Sequence, residues 1–277
     1  MLIAQLSDLH INPNGDPAYG RADTLSNLTL TLGAVKGYNP DIVVITGDIS
    51  DRGEERAYRL CKSLLDKTGL PYIPLPGNHD HRPTLTRVFE DRNTPLSGPG
   101  HLCRIIAEDP LLLIGLDTVI EGEHGGGLDQ ERLDWLDAVL SAHAHTPACL
   151  FMHHPPFLTA IPHMDTEPFK NWECFRKLIR RHSQVIRICC GHVHRPITLD
   201  FAHTIAMVCP AVGMQIPLDF SQRAPSAFNT EPPAFMLHTY TPGWDNSPAL
   251  ISHVKPVELQ PGQFEQTFAF IEVDLPD

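Results

Sequence analysis

Apolar positions along the chain follow two alternating periods. Short apolar runs rich in β-branched residues predict strands at residues 2–6, 41–46, 72–75, 111–116, 149–152 and 185–190. The run Ile42-Val43-Val44-Ile45 has no polar interruption, as expected of a strand covered on both faces. Between the runs the spacing becomes helical. Leu25, Leu28, Leu32 and Val35 follow Asp23 as a cap, and Ala57, Leu60, Cys61, Leu64 and Leu65 end at Gly69. Asp129 caps a further helix burying Leu133, Leu136, Val139 and Leu140, and Pro168 opens one burying Trp172, Phe175, Leu178 and Ile179. This alternation predicts an α/β fold whose helices cover the sheet faces.

Helical spacing fades after about Pro210. Segments such as Ala224-Pro225 and Glu231-Pro232-Pro233 break up the later strands, predicted at residues 204–209, 235–240, 249–254 and 267–273. The chain therefore divides into a core of residues 1–215 and a β-rich C-terminal extension of residues 216–277. We read the extension as a cap or subunit contact within the same domain, and a dimer or higher assembly is expected from it.

Composition narrows the partners. The 277 residues are 42% apolar, enough for a large core, and carry a formal net charge of −12. The densest basic stretch is Arg176-Lys177 with Arg180-Arg181, which argues against a long nucleic-acid partner. A small anion stays acceptable wherever a bound cation dominates the local charge. The seven cysteines are odd in number and show no C-x-x-C spacing, so free thiols in a reducing cytoplasm are expected. Residues 1–6 do not resemble a signal peptide, and no apolar stretch reaches the roughly 20 residues a spanning helix needs.

Candidate chemistry sits at the strand ends. Five clusters follow predicted strands in order: Asp8-Leu9-His10, Gly47-Asp48, Gly77-Asn78-His79-Asp80, His153-His154-Pro155-Pro156 and Gly191-His192-Val193-His194. Ligands of open α/β sheets bind beyond the carboxyl ends of strands, so the five ends are expected to converge on one sheet edge. Taken singly, each cluster has a plainer explanation as a cap, turn or solvated corner. Their joint occurrence makes coincidence a poor account. Together they offer carboxylate, amide and imidazole donors, without thiolate, for two divalent ions such as Fe, Mn, Zn or Co.

The five blocks resemble the calcineurin-like metallophosphoesterase superfamily. With Ile114-Gly115-Leu116-Asp117-Thr118, they are similar to its class III cyclic-nucleotide phosphodiesterases and glycerophosphodiesterases over roughly residues 1–215. The resemblance implies a four-layer αββα sandwich. It implies Asp8, His10 and His194 at one ion, Asn78, His153 and His192 at the second, and Asp48 bridging both. Alignment on the following proline favours His153 over His154. The implied reaction is hydrolysis of a small phosphodiester, foremost a 3′,5′-cyclic nucleotide, by a metal-bridging hydroxide. Asn78 would neutralise phosphoryl oxygens, His79 would protonate the leaving alkoxide, and Asp80 would orient His79 or a ligand imidazole.

Glycerophosphodiesters, 2′,3′-cyclic nucleotides and phosphomonoesters suit the same centre. The acidic balance disfavours a nuclease, and the intact blocks disfavour a non-catalytic scaffold. Gly125-Gly126-Gly127 lacks a Gly-Lys-Ser/Thr ending and is read as a mobile loop leading to the helix at Asp129. His81 and His163 are candidates for the pocket lining, with His163-Met164-Asp165 the expected seat of specificity. His101, His143, His145, His182, His203, His238 and His253 are read as ordinary surface or core residues.

Overall fold

The apolar runs pair into two sheets stacked face to face. The computed structural model describes residues 1–92, 101–223, 225–244 and 247–260. In chain order the elements are β1 (Leu2–Leu6), α1 (Thr24–Tyr38), β2 (Ile42–Thr46), α2 (Glu55–Thr68), β3 (Tyr72–Leu75), α3 (Arg82–Val88), β4 (Arg104–Ala107) and β5 (Leu112–Leu116). They continue with α4 (Gln130–Ala142), β6 (Ala148–Met152), α5 (Trp172–Arg181), β7 (Val185–Cys190), β8 (Ile197–Phe201), β9 (Thr204–Val208), β10 (Ala234–Pro242) and β11 (Pro248–Pro256). The first sheet has the order β11-β10-β1-β2-β3 and the second β4-β5-β6-β7-β9-β8. β1, β2 and β3 run parallel, as do β5, β6, β7 and β9, while β10 and β11 close one side by antiparallel pairing.

Three apolar layers hold the stack together. Leu28, Tyr58 and Leu85 of α1, α2 and α3 pack on Leu6 and Ile45 of the first sheet. Ile3, Val44 and Leu75 meet Leu113, Phe151 and Cys189 between the sheets. Leu136 and Phe175 of α4 and α5 cover Leu150 and Ile188 of the second. The order of layers is thus helix, sheet, sheet, helix. Central strands are covered on both faces, which is why β5 and β6 are buried at every position and read as unbroken apolar runs.

The caps act where expected. Asp23 accepts from Ser26 N at 3.1 Å, Asp129 accepts from Arg132 N at 2.9 Å, and Gly69 ends α2 at φ 73°. Other expectations need correcting. α5 begins at Trp172, because Lys170 N donates to Gly126 O at 2.7 Å and holds the residues after Pro168 in a bridge. Trp172 consequently stays 41% exposed, while Phe175, Leu178 and Ile179 are buried. The five chemical strand ends do not share one sheet: β1, β2 and β3 belong to the first and β6 and β7 to the second. They meet because both sheets present carboxyl ends at the same edge of the stack. The strand expected at residues 267–273 lies outside the described residues. Among the described residues no helix is long and apolar enough to cross a membrane.

Candidate metal centre

Loops from both sheets are stitched together by their backbones before any side chain is considered. Asp8 N donates to Gly47 O at 3.1 Å, His10 N to Asp48 O at 2.9 Å, Gly191 N to His153 O at 2.8 Å, and Gly213 N to Asp8 O at 2.9 Å. Asp8, His10, Asp48, His192 and His194 all take left-handed backbones, with φ of 54°, 46°, 51°, 72° and 54°. Each such conformation costs of order 1–3 kcal/mol and persists only where the surroundings over-determine it. A Cβ on Gly77 would lie 2.2 Å from Asp48 Oδ1 and 2.5 Å from Asp48 N, so only glycine permits that approach.

The tautomers follow from the acceptors. His153 Nδ1 lies 2.7 Å from Thr46 O and His194 Nδ1 2.7 Å from Met214 O. A carbonyl cannot donate, so both Nδ1 atoms carry protons, and in the neutral ring each Nε2 presents its lone pair. His10 Nδ1 likewise donates to Asp51 Oδ1 at 3.1 Å. The Nε2 atoms of His10 and His194 then face each other at 3.2 Å, with Asp8 Oδ1 3.3 Å from His194 Nε2. On the other side, His153 Nε2 faces Asn78 Oδ1 at 3.1 Å and Asp48 Oδ2 at 3.3 Å. The same Asp48 oxygen is 3.7 Å from His10 Nε2. Once any proton on Nε2 is displaced, these nitrogens and oxygens aim lone pairs at common points and form a donor set for cations. Asp8, His10, Asp48 and His194 bring their ligand atoms within 4.8 Å of one another, as do His153, His154 and His192.

Electrostatics follow from burial and these contacts. Burial opposes charge on Asp48, yet the imidazoles of His153 and His79 hold its carboxyl well below the usual range. Burial likewise opposes charge on His153, but Asp48 and then Asp8 outweigh it and raise the pKa to about 9. Burial and the neighbouring His153 push His192 down to about 3, leaving that ring neutral.

The remaining residues sort by partner. His79 N donates to Asp48 Oδ1 at 2.9 Å and its Nδ1 to Asp51 O at 2.8 Å, leaving Nε2 for the cavity. Burial works against the His79 proton, but Asp48 first among its neighbours raises the pKa. The expectation that Asp80 orients an imidazole is corrected. Its carboxylate accepts from Ile49 N, Ser50 N, Gly77 N and the Tyr58 hydroxyl, which occupies it with the turns that carry Asp48 and Asn78. Burial, then Asp48, raises its pKa to about 6. His154 Nε2 lies 3.1 Å from His124 O and must donate to it, so its Nδ1 accepts from Thr118 Oγ1 at 2.9 Å. The loop expected to be mobile is tied down: a Cβ on Gly126 would lie 2.2 Å from His154, and Glu167 accepts from His124 N and Gly125 N.

A cavity of about 680 Å³ opens over the cluster, lined by His79, His124, His163, Tyr19, Met214 and Phe228 among others. Both ring nitrogens of His163 are buried without a hydrogen-bond partner among the described residues. His81 instead lines an adjoining cavity and shares a hydrogen bond with Thr84 Oγ1 at 2.8 Å. Sequence reasoning missed Asp51 and His124. Asp51 stands three residues after Asp48, a spacing that in a loop carries no signal, and His124 precedes the glycine run.

Comparisons agree with this geometry. Residues 1–196 match the family described as calcineurin-like phosphoesterase. A probable glycerophosphodiester phosphodiesterase from Arcobacter nitrofigilis is 34% identical over 274 residues, covering 98% of this chain and 97% of that protein. A cAMP/cGMP dual specificity phosphodiesterase from Mycobacterium tuberculosis is 29% identical over 206 residues, 72% of this chain and 64% of that protein. A dimetal phosphatase from Danio rerio superposes with a TM-score of 0.61 at 17% identity, covering 86% of this chain and 95% of the other. At that identity the likeness speaks for the fold alone.

Proposed function

The chain belongs to the calcineurin-like phosphoesterase family, and from that premise we propose that it hydrolyses small phosphodiesters at a dinuclear metal centre, 3′,5′-cyclic nucleotides foremost. The observation that carries this reading is the aim of the imidazole Nε2 atoms at two points on either side of Asp48 Oδ2. We assign Asp8, His10 and His194 to one ion, Asn78, His153 and His192 to the other, and Asp48 to both. Two divalent cations, Fe, Mn, Zn or Co, would supply Lewis acidity at the phosphoryl oxygens and draw the pKa of the attacking water towards neutrality.

The chain's own residues do the rest. His79 holds a proton that its Nε2 can give to the leaving alkoxide, since Nδ1 is committed to Asp51 O. Asn78 sets its amide beside the phosphoryl group. His163, with two unpartnered ring nitrogens, meets a substrate oxygen across the cavity. Among the described residues no lysine or arginine lines this cavity, which suits a substrate with a single phosphate and neutral arms.

A glycerophosphodiester is the second reading, favoured by the name of the relative that matches 98% of this chain. Turnover of cAMP, 2′,3′-cAMP, glycerophosphocholine and bis(p-nitrophenyl) phosphate by Mn²⁺-loaded protein tests both. A chain that binds two ions yet cleaves no diester would sink the proposal. A reducing cytoplasmic location belongs to the same reading, supported by seven free cysteines. A dimer or higher assembly does too, tested by light scattering. Residues 216–277 are taken as one unit with residues 1–215, supported by the pairing of β10 with β1.

A further inference from the structure

We propose that Gln5 and His238 form a buried positioning pair that acts first on the Asn78, His153 and His192 half of the centre and less on the Asp8, His10 and His194 half. The proposal rests on the ligand assignment above.

Gln5 on β1 and His238 on β10 are both fully buried. His238 packs edge-on against Phe151 of the second sheet, with ring centroids 6.0 Å apart. Gln5 Nε2 lies 3.0 Å from Thr46 Oγ1 on β2 and 2.9 Å from Cys190 O on β7. The amide nitrogen therefore faces those two oxygens, and Oε1 is left for His238 Nε2 at 3.1 Å. That oxygen can only accept, so His238 Nε2 donates and its Nδ1 accepts from Ser252 Oγ on β11 at 2.8 Å. Thr46 Oγ1 passes its own proton to Leu6 O at 3.2 Å. One satisfied network thus runs across four strands of the first sheet and reaches the second. Polar groups this deep are costly unless fully paired, so an apolar pair would serve packing alone as well or better.

The far ends of the network explain its presence. The Thr46 carbonyl accepts from His153 Nδ1 at 2.7 Å, and so aims that ring. Cys190 is the last residue of β7 and directly precedes Gly191-His192. A single amide therefore holds both the strand end that orients His153 and the strand end that leads into His192. The imidazoles of the other half are anchored elsewhere, His10 on Asp51 and His194 on the Met214 carbonyl, so that half is reached only through Asp8, which accepts from His192 N at 3.1 Å. Groups that orient ligand imidazoles are commonly worth 10–100-fold in metal affinity.

The double variant Gln5→Leu with His238→Leu removes both ends of the pair together. Thr46 Oγ1 keeps Leu6 O, and Cys190 O keeps its bond from Cys209 N at 2.8 Å, so the fold should persist. Calorimetric titration of the metal-free variant with Mn²⁺ should show one of two binding steps weakened by about tenfold or more and the other weakened clearly less. His238→Gln, which retains a donor towards Gln5, should keep both steps near wild type. Two steps weakened equally, or two unchanged in the folded double variant, would overturn the proposal. If the double variant does not fold, Thr46→Val, which keeps the carbonyl and removes the hydroxyl, is read by the same criteria. A wild-type protein that takes up only one ion would overturn the ligand assignment itself, and the proposal with it.

Discussion

A proton and a cation compete for one lone pair at His153. Burial disfavours the protonated ring, yet Asp48 and Asp8 raise its pKa to about 9, so below that pH the metal-free protein keeps a proton on Nε2. A cation entering beside Asn78 must expel it. Because the raised pKa stabilises the protonated form below about 9, ion affinity should fall as pH falls, with roughly one proton released per ion at neutral pH. Mn²⁺ titrations across that range, in buffers of different ionisation enthalpy, measure the release; an affinity flat with pH would contradict this account. At the neighbouring position, His79→Ala removes a proton donor and no proposed ligand. Its kcat should drop by about 10²–10⁴ with both ions retained. Asp48→Ala should lose an ion, because one of its oxygens is near both His10 and His153. Two ions and full activity in that variant would refute the bridge.

Among the elements, the start of α3 and the residue after β5 are joined by a part-buried ion pair. Arg82 donates through Nε to Asp117 Oδ2 at 2.6 Å and through Nη2 to Oδ1 at 3.0 Å. Asp117 is fully buried and also accepts from Leu102 N and Val119 N. Arg82→Met would leave that carboxylate without its cation, and should destabilise the fold by about 3 kcal/mol. Urea unfolding reads the shift, with ion stoichiometry unchanged in the folded variant; a loss below about 1 kcal/mol would show the pair to be dispensable. The elements also show what the sequence could and could not reveal. β2, β5 and β6 were legible because burial on both faces leaves an apolar run, and the site blocks because ligand residues must follow those runs. β4 and β8 are half-exposed edge strands and α3 has seven residues, so no period marks them. The oxygens that fix the imidazoles of His153 and His194 belong to the backbone of Thr46 and Met214, where residue type says nothing. Asp80 was misread for a related reason: its partners are mostly amide N–H groups, which every residue but proline offers. Gln5 and His238 lie inside strands and carry no motif at all.

For the whole molecule, the metal-free site opposes folding that the rest of the sandwich favours. Five left-handed residues and facing imidazole nitrogens meet at an edge of a protein with a formal net charge of −12. The three apolar layers are built mostly from strand and helix side chains, with only a few such as Leu9, Ile49 and Val193 from the site loops, so they should carry the fold without cations, and the far-ultraviolet circular dichroism at room temperature should survive chelation. Stability should not be equally indifferent. An ion that binds the folded chain alone at a hundred times its dissociation constant adds about 2.7 kcal/mol. Two such ions would add about 5 kcal/mol, and for a chain of this size each kcal/mol moves Tm by about 2–4 °C. Chelation should therefore lower Tm by about 10 °C or more, and added Mn²⁺ should restore it in proportion to the logarithm of its concentration. In Asp48→Ala the restoration should shrink by at least half, since the residue proposed to serve both ions is gone. An unchanged Tm on chelation, in a protein that binds two ions, would mean that the unfolded chain holds the cations as tightly as the folded one. The strained loops would then owe their geometry to the two sheets alone.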